Sequence, residues 1–253
     1  MLDDFDWVIF DCDGVILGTP KTKWDSFRSI QSPVDTESLY TKIGLAMIER
    51  YSGLPETSEL RQIDAGFKAS MMGRKKERCA EMMVEKFHLK LSHDEYIQIS
   101  HELELELFSK CEPISGAEEI IQSIAGTGRP LALATGSAKN VFEIKQQAHP
   151  KLFEPFHALV VGDDPAVLQG KPAPDIFLEA ARRISVLDPS RCLVIEDSPN
   201  GVKAALAAGM KVAWVPDQEI WQRSHRDLAH NPHVYTYQDL HNLKAHLFPA
   251  KIN

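Results

Sequence analysis

Cysteine is scarce in this chain, and its four cysteines stand far apart without C-x-x-C spacing. That arrangement indicates neither a zinc site nor a disulfide framework, and it fits a reducing compartment. We therefore expect a cytoplasmic protein.

An excess of basic residues is also lacking, since the net charge is −8. No electrostatic footprint for nucleic acid is indicated, and we expect no nucleic-acid partner.

Long apolar runs and a basic leader are lacking as well. The first residues are acidic, whereas a secretory signal or a transit peptide is basic, and no apolar run approaches membrane-spanning length. We therefore expect no targeting segment and no membrane partner. What is present is an ordinary globular composition of 43% hydrophobic and 25% charged residues. A chain of 253 residues can bury one large core and carry a small accessory domain.

Short apolar runs that end in polar, loop-forming residues recur along the chain, and helical patterns lie between them. The predicted strands are 7–10, 131–134, 158–161 and 192–195. The predicted helices are 117–124, 138–147, 174–184 and 201–208. This alternation predicts an α/β fold with a doubly wound parallel sheet. The carboxyl ends of such strands line one crevice, so Asp11, Thr135 and Asp197 are expected to converge there.

A second pattern fills the stretch from about residue 35 to residue 110, which has helical spacing without strand-to-loop punctuation. It predicts a small helical cap on the sheet domain. The segment 102–107 alternates Glu and Leu with the period of a strand, but both residues favour helices, so we predict a helix. The predicted catalytic core comprises 1–17 and 111–253, and 18–110 forms an insertion loop plus the cap.

Acidic pairs end two of the predicted strands. Asp11 and Asp13 follow the first, and because burying charge costs several kcal/mol unless it is compensated, a bound cation or a reaction would account for them. A solvated turn is the alternative. Glu196 and Asp197 end a later strand and offer the oxygen ligands that magnesium prefers, with a helix-capping acid as the alternative.

Two further segments are suited to an anion. Thr135, Gly136 and Ser137 offer hydroxyl and backbone N–H groups at a strand end before a helix, although an N-cap has the same pattern. Lys171 is the only cation in the loop 170–175, which glycine and prolines restrict. A solvated loop lysine is the alternative for Lys171.

In this order the motifs Asp-x-Asp-Gly-Val, Thr-Gly-Ser, Lys-Pro and Glu-Asp-Ser-x-x-Gly resemble those of the haloacid dehalogenase superfamily. Longer segments, such as 162–165 and 170–178, resemble more closely the subgroup that contains pseudouridine 5'-phosphatase and plant glycerol phosphatase-like enzymes. The resemblance covers nearly the whole chain. One departure is the segment 18–34, which separates the first motif from Asp-Thr-Glu at 35–37.

The resemblance implies a Rossmann-like core with a cap and a magnesium-dependent phosphatase. It implies that Asp11 is the nucleophile of an aspartyl-phosphate intermediate and that Asp13 is the general acid and base. The implied phosphate-binding residues are Thr135, Gly136, Ser137 and Lys171. The implied magnesium ligands are Asp11, the backbone carbonyl of Asp13, Asp197 and, directly or through water, Glu196.

The expected substrate is a small phosphorylated metabolite, with pseudouridine 5'-phosphate favoured over glycerol phosphate or a sugar phosphate. Glu37, Arg74 and Lys75 of the cap are expected to reach towards it, although Arg74 and Lys75 also fit a solvated basic pair on a helix. A phosphosugar mutase, and a catalytically silent binding or regulatory protein whose insertion blocks cap closure, are the alternative functions. We expect a monomer by default.

Overall fold

The fold is that of a computed structural model, which describes most but not all of the chain. The described residues are 4–18, 36–55, 58, 62–64, 67, 76–216 and 226–249, of which 36–40, 76 and 226 are described by their backbone alone. The strands are, in chain order, β1 (Trp7–Phe10), β2 (Leu17–Gly18), β3 (Glu112–Pro113), β4 (Leu131–Ala134), β5 (Ala158–Val160), β6 (Cys192–Glu196), β7 (Lys211–Trp214) and β8 (Val234–Thr236). The helices are α1 (Thr36–Tyr51), α2 (Lys76–Phe87), α3 (His93–Phe108), α4 (Ala117–Ala125), α5 (Lys139–Ala148), α6 (Pro150–Phe153), α7 (Asp175–Arg183), α8 (Pro199–Ala207), α9 (Arg226–Ala229) and α10 (Leu240–Leu247).

Six strands form one parallel sheet in the spatial order β5-β4-β1-β6-β7-β8. The chain runs from β1 outwards through β4 to β5, and it then returns to the other side of β1 through β6. The point where the strand order reverses therefore lies beside β1. In sheets of this kind, a crevice opens at the carboxyl ends of the strands at that point.

Apolar side chains cover both faces of the sheet, because successive residues of a strand point to opposite faces. Val8 and Phe10 belong to a core layer that α4 and α10 complete, for example with Ile120. Ile9 lies in the opposite layer, where α7 and α8 contribute residues such as Phe177. Complete burial of each large apolar side chain stabilises the fold by roughly 1.5–3 kcal/mol. The predicted doubly wound α/β fold is confirmed.

Most predicted elements occur within two residues of their expected bounds. The segment 102–107, with its strand-like alternation, lies inside helix α3, as predicted. Sequence analysis did not identify β7, β8 or α10. The three-residue β8 has only Val234 buried, so it lacks the apolar run by which the other strands were recognised.

Helices α1, α2 and α3 occupy the stretch between β2 and β3. These two short strands pair antiparallel, with Leu17 opposite Pro113, so the chain enters and leaves the helical segment at neighbouring positions. Helix α3 packs against α1 and α2, and it also contacts α5 of the sheet domain. The helical content of this stretch agrees with the predicted cap, whereas the domain boundaries stay a prediction. Among the helices that the structure describes, none is long and apolar enough to cross a membrane.

Candidate active site

The predicted site residues approach one another at the carboxyl edge of the sheet. Asp11 follows the central strand β1, Thr135 follows its neighbour β4, and Glu196 and Asp197 lie at the end of β6 on the other side. All four residues are buried. Since adjacent parallel strands end at the same edge, this convergence results from the strand order.

Lys171 connects two of these acids. Its ammonium group donates to Asp11 Oδ1 at 2.5 Å and to Glu196 Oε1 at 2.8 Å, and it also contacts the carbonyl oxygen of Ala134 at 3.3 Å. The Lys171 side chain is only 13% exposed, so these charge-assisted hydrogen bonds are largely shielded from water. The lysine therefore neutralises part of the negative charge at the sheet edge.

The pKa values of Asp11 and Lys171 are both raised above their usual values. Burial raises the pKa of Asp11 to about 7, with Glu196 and Asp13 adding to the rise and Lys171 opposing it. Burial alone would lower the pKa of Lys171, but Asp11 and Glu196 outweigh that effect and hold its pKa above the usual value. Lys171 is therefore a permanent cation near neutral pH.

Asp11, Glu196 and Asp197 form a buried acidic cluster in which one oxygen from each carboxylate lies within 4.8 Å of the others. Three carboxylates beside one lysine leave an excess of negative charge, which a cation would offset. The cluster offers only oxygen atoms, the donors that hard divalent ions prefer. The residues present therefore fit a divalent cation.

Two glycines permit the close packing of this cluster. A Cβ atom at Gly14 would lie 2.0 Å from Asp197 Oδ2, and the φ angle of +86° at Gly14 disfavours other residues as well. A Cβ atom at Gly201 would lie 1.6 Å from Glu196 Oε1. The other oxygen of Glu196 accepts hydrogen bonds from the backbone N–H of Ser198 at 2.7 Å and from its hydroxyl at 3.1 Å. Glu196 is thus fixed between Lys171 and the start of α8.

Asp13 lies in a second polar network beside the first. Its Oδ1 accepts from the ammonium of Lys145 at 2.5 Å, and its Oδ2 accepts from the hydroxyls of Ser137 at 2.8 Å and Thr135 at 3.3 Å. Lys145 also donates to Ser137 Oγ at 2.8 Å. Both carboxylate oxygens of Asp13 are therefore held by donors, and the side chain remains 11% exposed.

Sequence analysis missed Lys145, although it is the lysine that contacts Asp13. Its side chain is completely buried on α5, where it shares the inner face with Val141 and Phe142. Burial has the largest single effect and lowers the pKa of this lysine, but Asp13, Cys12 and Cys111 together outweigh burial and raise it. The available signal was its position four residues after Val141, which placed a charge on the apolar face of a predicted helix.

The residues predicted to bind phosphate lie around the same edge. A Cβ atom at Gly136 would meet no atom within 4 Å among the described residues, so the backbone there borders open space. The hydrogen bonds described for Ser137 Oγ go to Asp13 and Lys145. Phosphate binding by Thr135, Gly136, Ser137 and Lys171 stays a prediction.

The substrate contacts predicted in the cap fall outside the described parts of the chain. Arg74 and Lys75 are not among the described residues, and Glu37 is described only by its backbone in α1. The insertion predicted at 18–34 is likewise undescribed beyond Gly18.

Comparisons with known proteins identify the family of this chain. A sequence profile described as haloacid dehalogenase-like hydrolase matches residues 5–209. The (DL)-glycerol-3-phosphatase 1, mitochondrial, of Arabidopsis thaliana is 36% identical over 217 residues, which are 84% of this chain and 64% of that protein. A Drosophila melanogaster protein named as a pseudouridine-5'-phosphatase is 37% identical over 216 residues, covering 85% of this chain and 83% of that protein.

A solved structure gives the same result for the fold. The crystal structure from Thermotoga maritima that is assigned as a β-phosphoglucomutase superposes with a TM-score of 0.61 at 27% sequence identity, covering 83% of this chain and 85% of that chain. The family profile spans both acidic motifs and the loop that carries Lys171. This chain belongs to the haloacid dehalogenase-like hydrolases, and the two relatives above are named as phosphatases.

Proposed function

We propose that this protein is a magnesium-dependent phosphatase that hydrolyses a small phosphate monoester through a covalent intermediate on Asp11. The observation that carries the proposal is the buried cluster of Asp11, Glu196 and Asp197 with Lys171 bonded to two of its members. A nucleophile, a cation and the oxygen ligands for a metal ion are thereby supplied at one sheet edge.

Electrostatics explain why a metal ion is needed. A phosphate dianion that approaches an ionised carboxylate meets repulsion of about 4 kcal/mol per charge pair at about 4 Å with an effective dielectric constant near 20. Asp11, Asp197 and the backbone carbonyl of Asp13 would hold the magnesium, with Glu196 assisting directly or through water. When bound, magnesium supplies positive charge that offsets this repulsion.

The chain's own residues would carry out phosphoryl transfer in two steps. A carboxylate oxygen of Asp11 attacks phosphorus in line with the leaving oxygen, while Lys171 and the groups at 135–137 hold the phosphoryl oxygens. Asp13 gives a proton to the leaving alkoxide. It then takes a proton from the water that hydrolyses the aspartyl phosphate. The short distance in sequence between Asp11 and Asp13 suits a reaction in which one is the nucleophile and the other is the acid and base.

The names of the relatives support a small phosphorylated substrate. Pseudouridine 5'-phosphate is favoured, and glycerol phosphate and sugar phosphates are the next candidates. We assign substrate selection to the cap, with Glu37, Arg74 and Lys75 as the proposed contacts. This chain spans 64% of the length of the Arabidopsis relative, so that protein's substrate is carried over only as a proposal. A monomer in the cytoplasm remains our expectation, although the same relative is named as mitochondrial.

A phosphosugar mutase is the second candidate function. It uses the same nucleophile and acid, but it transfers the phosphoryl group to a sugar instead of water. The 27% identity with the structure assigned as a β-phosphoglucomutase favours keeping this candidate. Product analysis separates the two, because a mutase converts a hexose phosphate into its isomer without releasing inorganic phosphate.

The experiment is a phosphate-release assay on pseudouridine 5'-phosphate, uridine 5'-phosphate, glycerol phosphates and hexose phosphates. We expect release that a chelator stops and magnesium restores, with pseudouridine 5'-phosphate as the best substrate. The variant Asp11→Asn should lose at least about 10³-fold in kcat, because it lacks the nucleophile. Full activity without metal, or in the Asp11→Asn variant, would refute the mechanism, and equal rates on all substrates would refute the preference.

A further inference from the structure

Lys145 is a buried cation to which the proposed reaction steps assign no role. Its ammonium group is completely shielded from solvent, and it lies 4.4 Å from the centre of the Phe108 ring at the end of α3. Its hydrogen bonds are to Asp13 at 2.5 Å and Ser137 at 2.8 Å. Burying an ammonium group is costly, so its presence beside Asp13 calls for a functional explanation.

We propose that Lys145 is a positioning residue that holds Asp13 as the base for hydrolysis of the aspartyl phosphate. The inference rests on the proposed function, since it assumes a phosphorylated Asp11. Lys145 would not touch the substrate, because its side chain is completely buried and its ammonium contacts Asp13, Ser137 and the Phe108 ring. It would act on Asp13 directly and through Ser137, whose hydroxyl donates to the same carboxylate.

The hydrogen bonds of Asp13 suit the second step of the reaction. Lys145, Ser137 and Thr135 all donate to its oxygens, which is the arrangement of an ionised carboxylate held in one orientation. Among the described hydrogen bonds, Oδ1 of Asp13 accepts only the one from Lys145, so this oxygen keeps a second lone pair that can take a proton from water.

In that step the water oxygen bonds to phosphorus and its proton passes to Asp13. The bond between phosphorus and Asp11 breaks, and its electron pair returns to the Asp11 carboxylate. Inorganic phosphate is released, and Asp13 keeps the proton for the next leaving alkoxide.

A purely structural role predicts a different result from a positioning role. If Lys145 only fills the space between α5, Phe108 and the loop after β1, its replacement would weaken the fold and slow both chemical steps similarly. If it positions Asp13, its replacement would slow hydrolysis of the intermediate in the native protein. The same replacement would have no further effect in a protein that already carries Asp13→Asn, because that protein lacks the carboxylate base. A double-mutant cycle distinguishes these cases.

The test compares Lys145→Met in the native background and in an Asp13→Asn background, using the phosphorylated substrate that the release assay identifies. Lys139→Met is the matched control, because Lys139 lies on the same helix with its side chain 73% exposed. Rapid acid quench measures the fraction of phosphorylated enzyme, and phosphate release measures kcat. We expect Lys145→Met to lower kcat by about 100-fold and to raise the phosphorylated fraction in the native background. In the Asp13→Asn background we expect a change below about twofold.

The outcomes separate this inference from the proposed function. Equal losses of kcat in both backgrounds, or a loss without accumulation of phosphorylated enzyme, would overturn the positioning role alone. Absence of phosphorylated enzyme in every variant, including the unmodified chain, would overturn the proposed function and this inference together. If Lys145→Met does not fold, Lys145→Gln is compared in the same way, and the same two outcomes decide.

Discussion

Asp11 experiences opposing effects from burial and from Lys171, and burial is the larger of the two. A carboxyl group whose pKa is raised to about 7 binds a proton in the folded state over the pH range in which the unfolded chain has already lost it. The metal-free protein should therefore lose stability as the pH rises from about 4 to about 7. This sign is the reverse of that for an acid stabilised by a salt bridge.

Magnesium affinity should consequently rise with pH, because the ion binds the ionised form of Asp11 in competition with a proton. With a pKa of about 7, the ionised fraction grows about tenfold between about pH 6 and about pH 8, and we expect the dissociation constant to fall by about the same factor. Isothermal titration calorimetry at the two pH values measures it. Asp11→Asn serves as the control, in which the weaker residual binding should show no such dependence. Equal affinity at both pH values in the native protein would contradict the assignment.

Single residues of the site differ in how far the sequence predicts them. Asp11 and Asp197 follow apolar strands, so their meeting could be expected from the rule that parallel strands end at a common edge. Lys145 belongs to a helix face, and the polar partner that makes its burial tolerable lies 132 positions away in the chain. The sequence around Lys145 does not contain that partner, and this lysine was therefore missed.

At the scale of elements, helix α8 holds one of the site's acids through its own N-cap. The hydroxyl of Ser198 accepts from the backbone N–H of Gly201 at 3.0 Å and donates to Glu196 Oε2 at 3.1 Å. The start of the helix and the orientation of Glu196 therefore depend on one side chain. Helix α10 has a similar cap, in which Asp239 accepts from the backbone N–H of Asn242, but among the described residues that cap contacts none of the site.

The variant Ser198→Ala should lower the free energy of unfolding by about 1 kcal/mol through loss of the cap, and it should also weaken magnesium binding, because Glu196 loses a donor. Asp239→Ala is the matched control, with a similar loss of stability and unchanged magnesium affinity. Urea unfolding and calorimetry measure the two quantities. A Ser198→Ala protein that binds magnesium as tightly as the control would show that the cap does not support the site.

The strands predicted from the sequence all have an apolar run, but β7 has one too and was missed. β1, β4 and β6 carry buried runs and lead to site residues, whereas β5 has only Val160 buried and precedes the loop of Lys171. The outer strands β7 and β8 complete the sheet through long-range pairing, with Val212 opposite Val234. β7 lies between β6 and β8 and has a buried run that sequence analysis missed, whereas the edge strand β8 has one buried residue and depends more on its partner than on its own sequence.

At the scale of the whole molecule, the sheet brings together groups that lie far apart in sequence. Lys171 and Asp11 are 160 residues apart along the chain, yet their charged groups form a hydrogen bond of 2.5 Å. The ordered motifs predicted that these residues belong to one site, since they resemble those of a single enzyme superfamily. The substrate contacts of Glu37, Arg74 and Lys75 stay a prediction, since these side chains lie outside the described part of the chain.

The most direct test of the central claim is to identify the phosphorylated residue. The protein is mixed with magnesium and substrate, quenched in acid, reduced with borohydride and digested, since borohydride converts an aspartyl phosphate into homoserine. We expect mass spectrometry to find homoserine at position 11 in the native protein and none in the Asp11→Asn variant. Substrate turnover with an unmodified Asp11 under these conditions, or phosphate on another residue, would contradict the account.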